Sequence, residues 1–256
     1  MKHAIIIYQD GYQHEVLPGV ESIFESYNLN YGSFERDLVK HSDCAKKDLM
    51  IIIGGDGTFL RASHKNKGIP MFGINPNPAR KEGFFMQSTK DDYKLKLKSI
   101  LEGKYELLKL LKLNIAIDGK MLKETALNDV YIGDAKPYNM FNYNITLRGK
   151  TEFQRSSGVI VGTAAGSHAW LKSAGAKVLS INEHKLQFVS RELYENKLTK
   201  GYNLRKGIFS KKDILTIYCK TDAILVLDSV SKEYKCPKGT TVEIFACDTC
   251  VKYIKL

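Results

Sequence analysis

The chain has 256 residues, 43% of them hydrophobic, enough apolar material to bury a substantial core and too much for a mainly disordered chain. Taking 28 acidic from 39 basic side chains leaves a formal charge of +11, a bias toward phosphate-rich ligands; the lysines are spread out and no groove-reading motif accompanies them, so nucleic acid is not an expected partner. No apolar run reaches the roughly eighteen residues of a membrane-spanning helix, and the membrane is not an expected partner either.

In chain order, residues 4–8 (AIIIY), 49–53 (LMIII) and 71–74 (MFGI) are continuous apolar runs, the pattern of parallel strands covered on both faces. Amphipathic stretches at 19–27, 59–65 and 88–103 alternate with them as helices would in an α/β layer. In the last of these, lysines alternate with Leu95, Leu97, Ile100 and Leu101, which suits a helix keeping its ammonium groups in water. Ser88 with Asp91 reads as a capping box opening that helix, and Gly103 stands where its C-terminal cap belongs. A domain boundary near residue 105 is therefore expected, with residues 1–105 forming an α/β domain around a Rossmann-like parallel sheet.

Beyond it the period changes to two. Residues 114–118 run into Asp118-Gly119, and Phe141, Tyr143, Ile145 and Leu147 alternate before Arg148-Gly149, both turn pairs of hairpin type. Further strands are expected at 159–161, 214–218, 224–227 and 242–245, with a turn at Cys236-Pro237-Lys238-Gly239. Residues 106–256 are thus expected to form a β-rich, sandwich-like domain, with the last residues able to pack back on the first domain.

The five cysteines, Cys44, Cys219, Cys236, Cys247 and Cys250, are an odd number in a long chain and do not resemble a secreted disulfide framework. A reducing cytoplasm is the expected location, and no charged leader with a cleavage site precedes the first apolar run. Cys247 and Cys250 form a CxxC; a zinc site would need Cys219 and Cys236 as its second pair, and these lack the usual short spacing.

The segment DLMIIIGGDGTFLRAS at 48–63 carries the chemistry. A buried strand ends in two glycines and a helical segment begins just after Thr58, which places the loop at a strand's carboxyl end. Gly54, Gly55 and Gly57 could take positive φ angles and bring N–H groups against phosphate oxygens, with the helix N-terminus adding its dipole and Thr58 capping it. Asp56 is out of place beside phosphate unless a metal ion bridges the two or the carboxylate accepts a proton from an attacking hydroxyl. A tight turn with no ligand would also accommodate GGDG. Other phosphate loops, GxxxxGK[ST] and GxGxxG among them, are absent.

GGDGT is shared by a superfamily of NAD kinases, diacylglycerol and sphingosine kinases and phosphofructokinases. Two further segments resemble the NAD kinase family: ALNDV at 126–130, similar to its Asn-Glu motif, and GVIVGTAAGSHAWLKSA at 158–174, similar to its glycine- and threonine-rich strand-loop-helix motif. The likeness is greatest to the mitochondrial-type branch, through Asn75-Pro76-Asn77-Pro78, Arg80, Glu82-Gly83, Ser156-Ser157-Gly158 and Gly166-Ser167-His168-Ala169-Trp170. The resemblance implies an α/β domain followed by a β-rich one, and ATP-dependent phosphorylation of the 2′-hydroxyl of the adenosine ribose of NAD. It makes Asp56 the catalytic base; Gly54, Gly55, Gly57, Thr58 and Arg61 the phosphate and ATP contacts; and Asp56, Gly57, Phe84, Asn128, Asp129, Arg155, Ser157, His168, Ala169, Trp170 and Ser173 the NAD contacts.

Asp228 resembles a family Asp on a late strand. Mg²⁺ is implied as a bridge between phosphates rather than a side-chain-held ion, and a homodimer through the β-rich domain is implied as the assembly. Phe84 and Trp170 would suit a core equally well, and Asn-Asp a turn. Ser157 in place of Asp, Asp129 in place of Glu and Ala164-Ala165 in place of Pro-Thr depart from the common pattern. Two other functions share the loop: a lipid or sugar kinase, and a non-catalytic NAD or NADP sensor.

Overall fold

The computed structural model describes every residue except 12, 67, 81, 137, 198–200, 230 and 231. The chain divides into two compact units, Met1–Lys109 with Val251–Leu256, and Leu110–Cys250. The first opens with β1 (His3–Tyr8), α1 (Gln13–Ser26), β2 (Asn30–Glu35), β3 (Leu49–Ile53) and α2 (Asp56–Lys65). It continues through β4 (Met71–Asn75), β5 (Met86–Thr89), α3 (Tyr93–Leu101) and β6 (Glu106–Leu110), whose last residue begins the second unit. The second unit holds β7 (Leu113–Ile117), β8 (Lys120–Met121), β9 (Asp129–Gly133), β10 (Phe141–Leu147), β11 (Lys150–Ser156) and β12 (Gly158–Thr163). A 3₁₀ turn (Gly166–His168) and α4 (Trp170–Ser173) precede β13 (Lys185–Arg191), β14 (Lys206–Ser210), β15 (Leu215–Cys219), β16 (Ala223–Leu227), β17 (Glu233–Cys236) and β18 (Thr241–Ala246), and β19 (Val251–Lys255) returns to the first unit.

The first unit is built on a seven-stranded sheet in the order β2-β1-β3-β4-β19-β6, with β5 beside β4. β1, β2, β3, β4, β5 and β19 pair in parallel. All five residues of β3 and of β4 are buried, as strands covered on both faces must be. Leu49, Ile51 and Ile53 join Val16, Val20 and Phe24 of α1 and Tyr93, Leu97 and Ile100 of α3 in one cluster. Each such side chain taken fully out of water contributes on the order of 1.5–3 kcal/mol.

Three local expectations are corrected. The first helix runs from Gln13 to Ser26 through Pro18, starting six residues before the expected 19. Ser88 lies in β5 rather than at a helix start; its Oγ donates to Asp92 Oδ1 at 2.6 Å, and Asp92, not Ser88, occupies the cap position of α3. α2 begins at Asp56, three residues before the expected 59.

The second unit is a sandwich of two six-stranded sheets, ordered β11-β10-β15-β18-β7-β8 and β14-β13-β12-β9-β16-β17. Phe141, Tyr143, Ile145 and Leu147 from the first sheet and Val130, Ile132, Val159 and Val161 from the second form one buried cluster, each strand contributing alternate residues as the pleat dictates. Asp118-Gly119 and Arg148-Gly149 both have positive φ, 47° and 74° in the first pair, 50° and 73° in the second, the geometry that matches a two-residue turn to strand twist. Ile160, on the other face of β12, packs with Leu171 of α4 and Val189 of β13. That contact fixes the short helix carrying Trp170 on the outside of the sandwich.

Candidate functional site

The expected site residues fall in both units. Gly54, Gly55, Asp56, Gly57, Thr58, Arg61 and Phe84 lie in the first unit; Asn128, Asp129, Arg155, Ser157, His168, Ala169, Trp170 and Ser173 lie in the second.

In the first unit β3 delivers the chain into Gly54, whose N–H donates to Ile74 C=O at 3.0 Å, and Gly55 forms the N-cap of the ten-residue α2. Gly55 C=O accepts the Thr58 N–H at 2.9 Å. The amides of Asp56 and Gly57, at the first two helical positions, have no intrahelical acceptor and carry the positive end of the helix dipole. None of the three loop glycines has positive φ, so the sequence expectation about their backbone is corrected. At Gly54 the requirement is space: a Cβ there would come within 2.6 Å of Thr58 Oγ1. Thr58 does not cap the helix. It is the third helical residue, buried, with its hydroxyl 3.5 Å from Gln9 Oε1.

Asp56 is half-buried, and its carboxylate accepts two backbone bonds, from Phe84 N–H to Oδ2 at 3.0 Å and from Phe85 N–H to Oδ1 at 2.8 Å. Each oxygen keeps a further lone pair for a donor or a cation. The turn that supplies these amides is itself anchored, because Phe85 stacks on Phe59 of α2 at 4.8 Å and meets Phe84 edge-on at 5.0 Å. Phe84 is half-buried, not core. Arg61, in the second turn of α2, is ion-paired to Asp37 at 3.7 Å.

In the second unit the residues around Asn128 are organised by Asp228. This side chain, only 5% exposed, accepts three backbone bonds: Leu127 N–H to Oδ2 at 2.7 Å, and Asn128 and Asp129 N–H to Oδ1 at 2.7 and 3.0 Å. The 158–174 segment closes on the same spot. Thr163 donates its N–H to Asn128 C=O at 2.9 Å and its hydroxyl to Leu127 C=O at 2.6 Å. Gly162 and Gly166 both lie against the Asn128 carbonyl; a Cβ on Gly162 would reach it at 2.7 Å and one on Gly166 would collide with it. The glycines of this motif therefore exist for close backbone approach.

Asn128 is buried with its Oδ1 lacking a hydrogen-bond partner among the described residues. A buried unsatisfied carbonyl costs on the order of 1–3 kcal/mol, which a ligand donor would recover. Beside it, burial and then the Asp228 carboxylate push Asp129 up to about 7, so that at neutral pH this side chain both donates and accepts.

Trp170 is half-buried and stacks on Tyr131 at 5.2 Å, with the Arg191 guanidinium over its ring at 5.2 Å. The Tyr131 hydroxyl donates to Ser157 C=O at 2.7 Å, and the Ser157 hydroxyl donates to Glu192. A pocket of about 390 Å³ opens here, lined by Tyr131, Tyr138, Asn139, Ser157, Arg191 and Glu192 among others. No sequence motif singles out Tyr131, Arg191 or Glu192. Tyr131 was legible, since it shares a strand face with Asp129 two residues earlier; Arg191 was not, because only the pairing of β12 with β13 sets it opposite Gly158.

The other expected residues are less central to this constellation. The His168 ring is engaged with Leu179 C=O at 2.8 Å, Ser173 is exposed at the end of α4, and Ala169 is partly exposed. Arg155 is exposed on β11 with its guanidinium over the Tyr194 ring.

Comparison with known proteins bears on this arrangement. The family model for the ATP-NAD kinase N-terminal domain matches residues 8–105. A probable NADH kinase of Oryza sativa subsp. japonica is 29% identical over 219 residues, 77% of this chain and 67% of that protein. An NAD kinase of Aromatoleum aromaticum is 34% identical over 144 residues, 54% of this chain and 47% of that protein. The chain is thus similar to NAD and NADH kinases, and its residues 8–105 match the N-terminal domain of the NAD kinase family.

The matched stretch thus spans two thirds of the rice protein and about half of the bacterial one. An NAD kinase from Archaeoglobus fulgidus, solved in complex with ATP, superimposes with a TM-score of 0.79 over 98% of this chain and 92% of that one, at 21% identity. Its likeness shows that the NAD kinase fold extends over the β-rich unit, which the family model does not reach. Among the described residues no helix is long and apolar enough to cross a membrane.

Proposed function

We propose that this chain transfers the γ-phosphoryl group of ATP to the 2′-hydroxyl of the adenosine ribose of NAD, giving NADP. The observation that carries the reading is Asp56: a carboxylate at the first position of a helix, between amides without intrahelical acceptors, held by two backbone N–H groups with lone pairs to spare. Such a group accepts the proton of the attacking hydroxyl as the O–P bond forms, while the amides of Asp56 and Gly57 bind phosphate oxygens. Arg61 would exchange Asp37 for phosphate, a small cost for a part-exposed pair.

Asn128 Oδ1 would take a donor from the adenine edge or a ribose hydroxyl, and Asp129, protonated near neutrality, would serve the vicinal diol as donor and acceptor. Trp170 and Phe84 offer half-buried aromatic faces to the bases, with Ser157, Arg155, His168, Ala169 and Ser173 as further NAD contacts. Mg²⁺ would be held chiefly by the nucleotide's own oxygens, with Asp56 able to ligate it or its water. Mg²⁺ supplies charge neutralisation on the transferring phosphoryl group. A homodimer in the cytoplasm completes the reading, and the likeness to a kinase named for NADH makes the reduced dinucleotide a second acceptor to test.

The test is to incubate the purified chain with NAD, ATP and Mg²⁺ and to assay NADP with an NADP-specific dehydrogenase, with NADH, sphingosine and diacylglycerol in parallel. NADP or NADPH formation without lipid phosphorylation is expected. NAD binding without turnover would make the chain a sensor, and lipid phosphorylation would place it in another branch of the superfamily.

A further inference from the structure

Cys247 and Cys250, three apart in the bend between β18 and β19, take no part in the chemistry above. Both are thiols, both half-buried, and they flank the exposed Asp248 and Thr249. Cys247 Sγ lies 3.0 Å from the Thr249 hydroxyl, whereas Cys250 packs against the sandwich core. The Cys247 N–H donates to Lys112 C=O at 2.8 Å.

Lys112 is 6% exposed. Burial lowers its pKa, and the charges that oppose this belong to Cys247, Asp228 and Cys250. The ammonium therefore stands within electrostatic reach of both sulfurs and of the carboxylate that holds the Asn128 loop. The backbone makes the same connection: Leu113, next to Lys112, exchanges hydrogen bonds of 2.7 and 3.1 Å with Ala126, and Ala126 leads into Leu127, Asn128 and Asp129.

We propose that Cys247 and Cys250 form a redox-active dithiol, oxidised to an intramolecular disulfide by low-molecular-weight disulfides, and that oxidation weakens dinucleotide binding at Asn128 and Asp129 through Lys112. The second half rests on the NAD kinase reading; the first does not.

The Cys247 thiolate attacks one sulfur of an oxidised glutathione molecule, forming a mixed disulfide and releasing one glutathione thiolate. Cys250 then attacks Cys247 Sγ as a thiolate and expels the second. Two electrons pass from the protein to the glutathione disulfide, and the two cysteine protons end on the two released thiols. Closing the Cys247–Cys250 ring pulls on the Cys247 amide bonded to the Lys112 carbonyl. Leu113, next to Lys112 and bonded to Ala126, passes the change to residues 126–129.

The experiment equilibrates the purified full chain in reduced or oxidised glutathione, maps disulfides by peptide mass spectrometry, and measures NAD affinity by calorimetry. A Cys247–Cys250 link should form in the oxidised sample, NAD affinity should fall about fivefold or more, and dithiothreitol should restore it. Cys247→Ser and Cys250→Ser should each bind NAD as the reduced protein does and ignore glutathione. Absence of the link in excess oxidised glutathione overturns the proposal, as does a link that leaves wild-type affinity unchanged. If the reduced protein does not bind NAD, the NAD kinase reading fails while the disulfide map still decides the dithiol.

Discussion

Asp228→Asn tests how the Asn128 loop is held. In the wild type Oδ1 accepts two amides and Oδ2 one, all within 3.0 Å. Asparagine keeps an oxygen for Asn128 and Asp129 but turns an NH₂ group toward the Leu127 N–H, setting donor against donor in a buried place. One unsatisfied amide and two bonds weakened from a charged to a neutral acceptor amount to about 2–4 kcal/mol. The backbone adds little, since Asp228 has φ of 49° and asparagine tolerates that region better than most residues. Urea unfolding followed by fluorescence is a direct assay because the only tryptophan, Trp170, lies in the same unit. The substitution also removes a carboxylate beside Asp129, so Asp129 should ionise at lower pH than in the wild type. A stability loss below about 0.5 kcal/mol, the usual range for an inconsequential surface change, would refute the role given to Asp228.

Asp129 predicts a pH dependence. Its pKa is pushed up to about 7 from the ordinary 3.8, so the native state keeps a proton that the unfolded chain has lost. Stability from this group is present in full below the unfolded value and falls as pH rises toward and through about 7, and Asp129→Asn should flatten that slope in urea midpoints measured across the window. Gly166→Ala should destabilise the protein by roughly 1–3 kcal/mol and raise KM for NAD, because the new methyl collides with the Asn128 carbonyl; unchanged KM would contradict the close-approach account. Arg191→Ala should weaken the packing of Trp170 by about 1 kcal/mol and shift its emission to the red as the ring gains water; an unchanged spectrum would deny the stacked cation its part.

Much of this fold was legible, and what was hidden has physical causes. β3 and β4 announced themselves because a strand buried on both faces is apolar throughout, and β10 because a strand of a sandwich alternates. β2, NYGSFE, is only partly buried along its length and carries no such signal. β19 pairs in parallel with β4 from the other end of the sequence, a partnership no local pattern encodes. The glycines of the two motifs were readable as special, but not why. At 54, 162 and 166 the cause is a neighbour's atom, a tertiary fact, rather than a backbone angle. Asp56 stood out because a carboxylate among glycines where a strand hands over to a helix needs a reason, whereas Arg191 reaches its pocket only through the register of β12 and β13.

The most direct measurement is turnover by Asp56→Asn, with NAD affinity and thermal melting recorded on the same sample. The account predicts a folded protein that binds NAD within a few-fold of the wild type and forms NADP roughly two to four orders of magnitude more slowly, the span of a lost general base. NADP formation at close to the wild-type rate would contradict it.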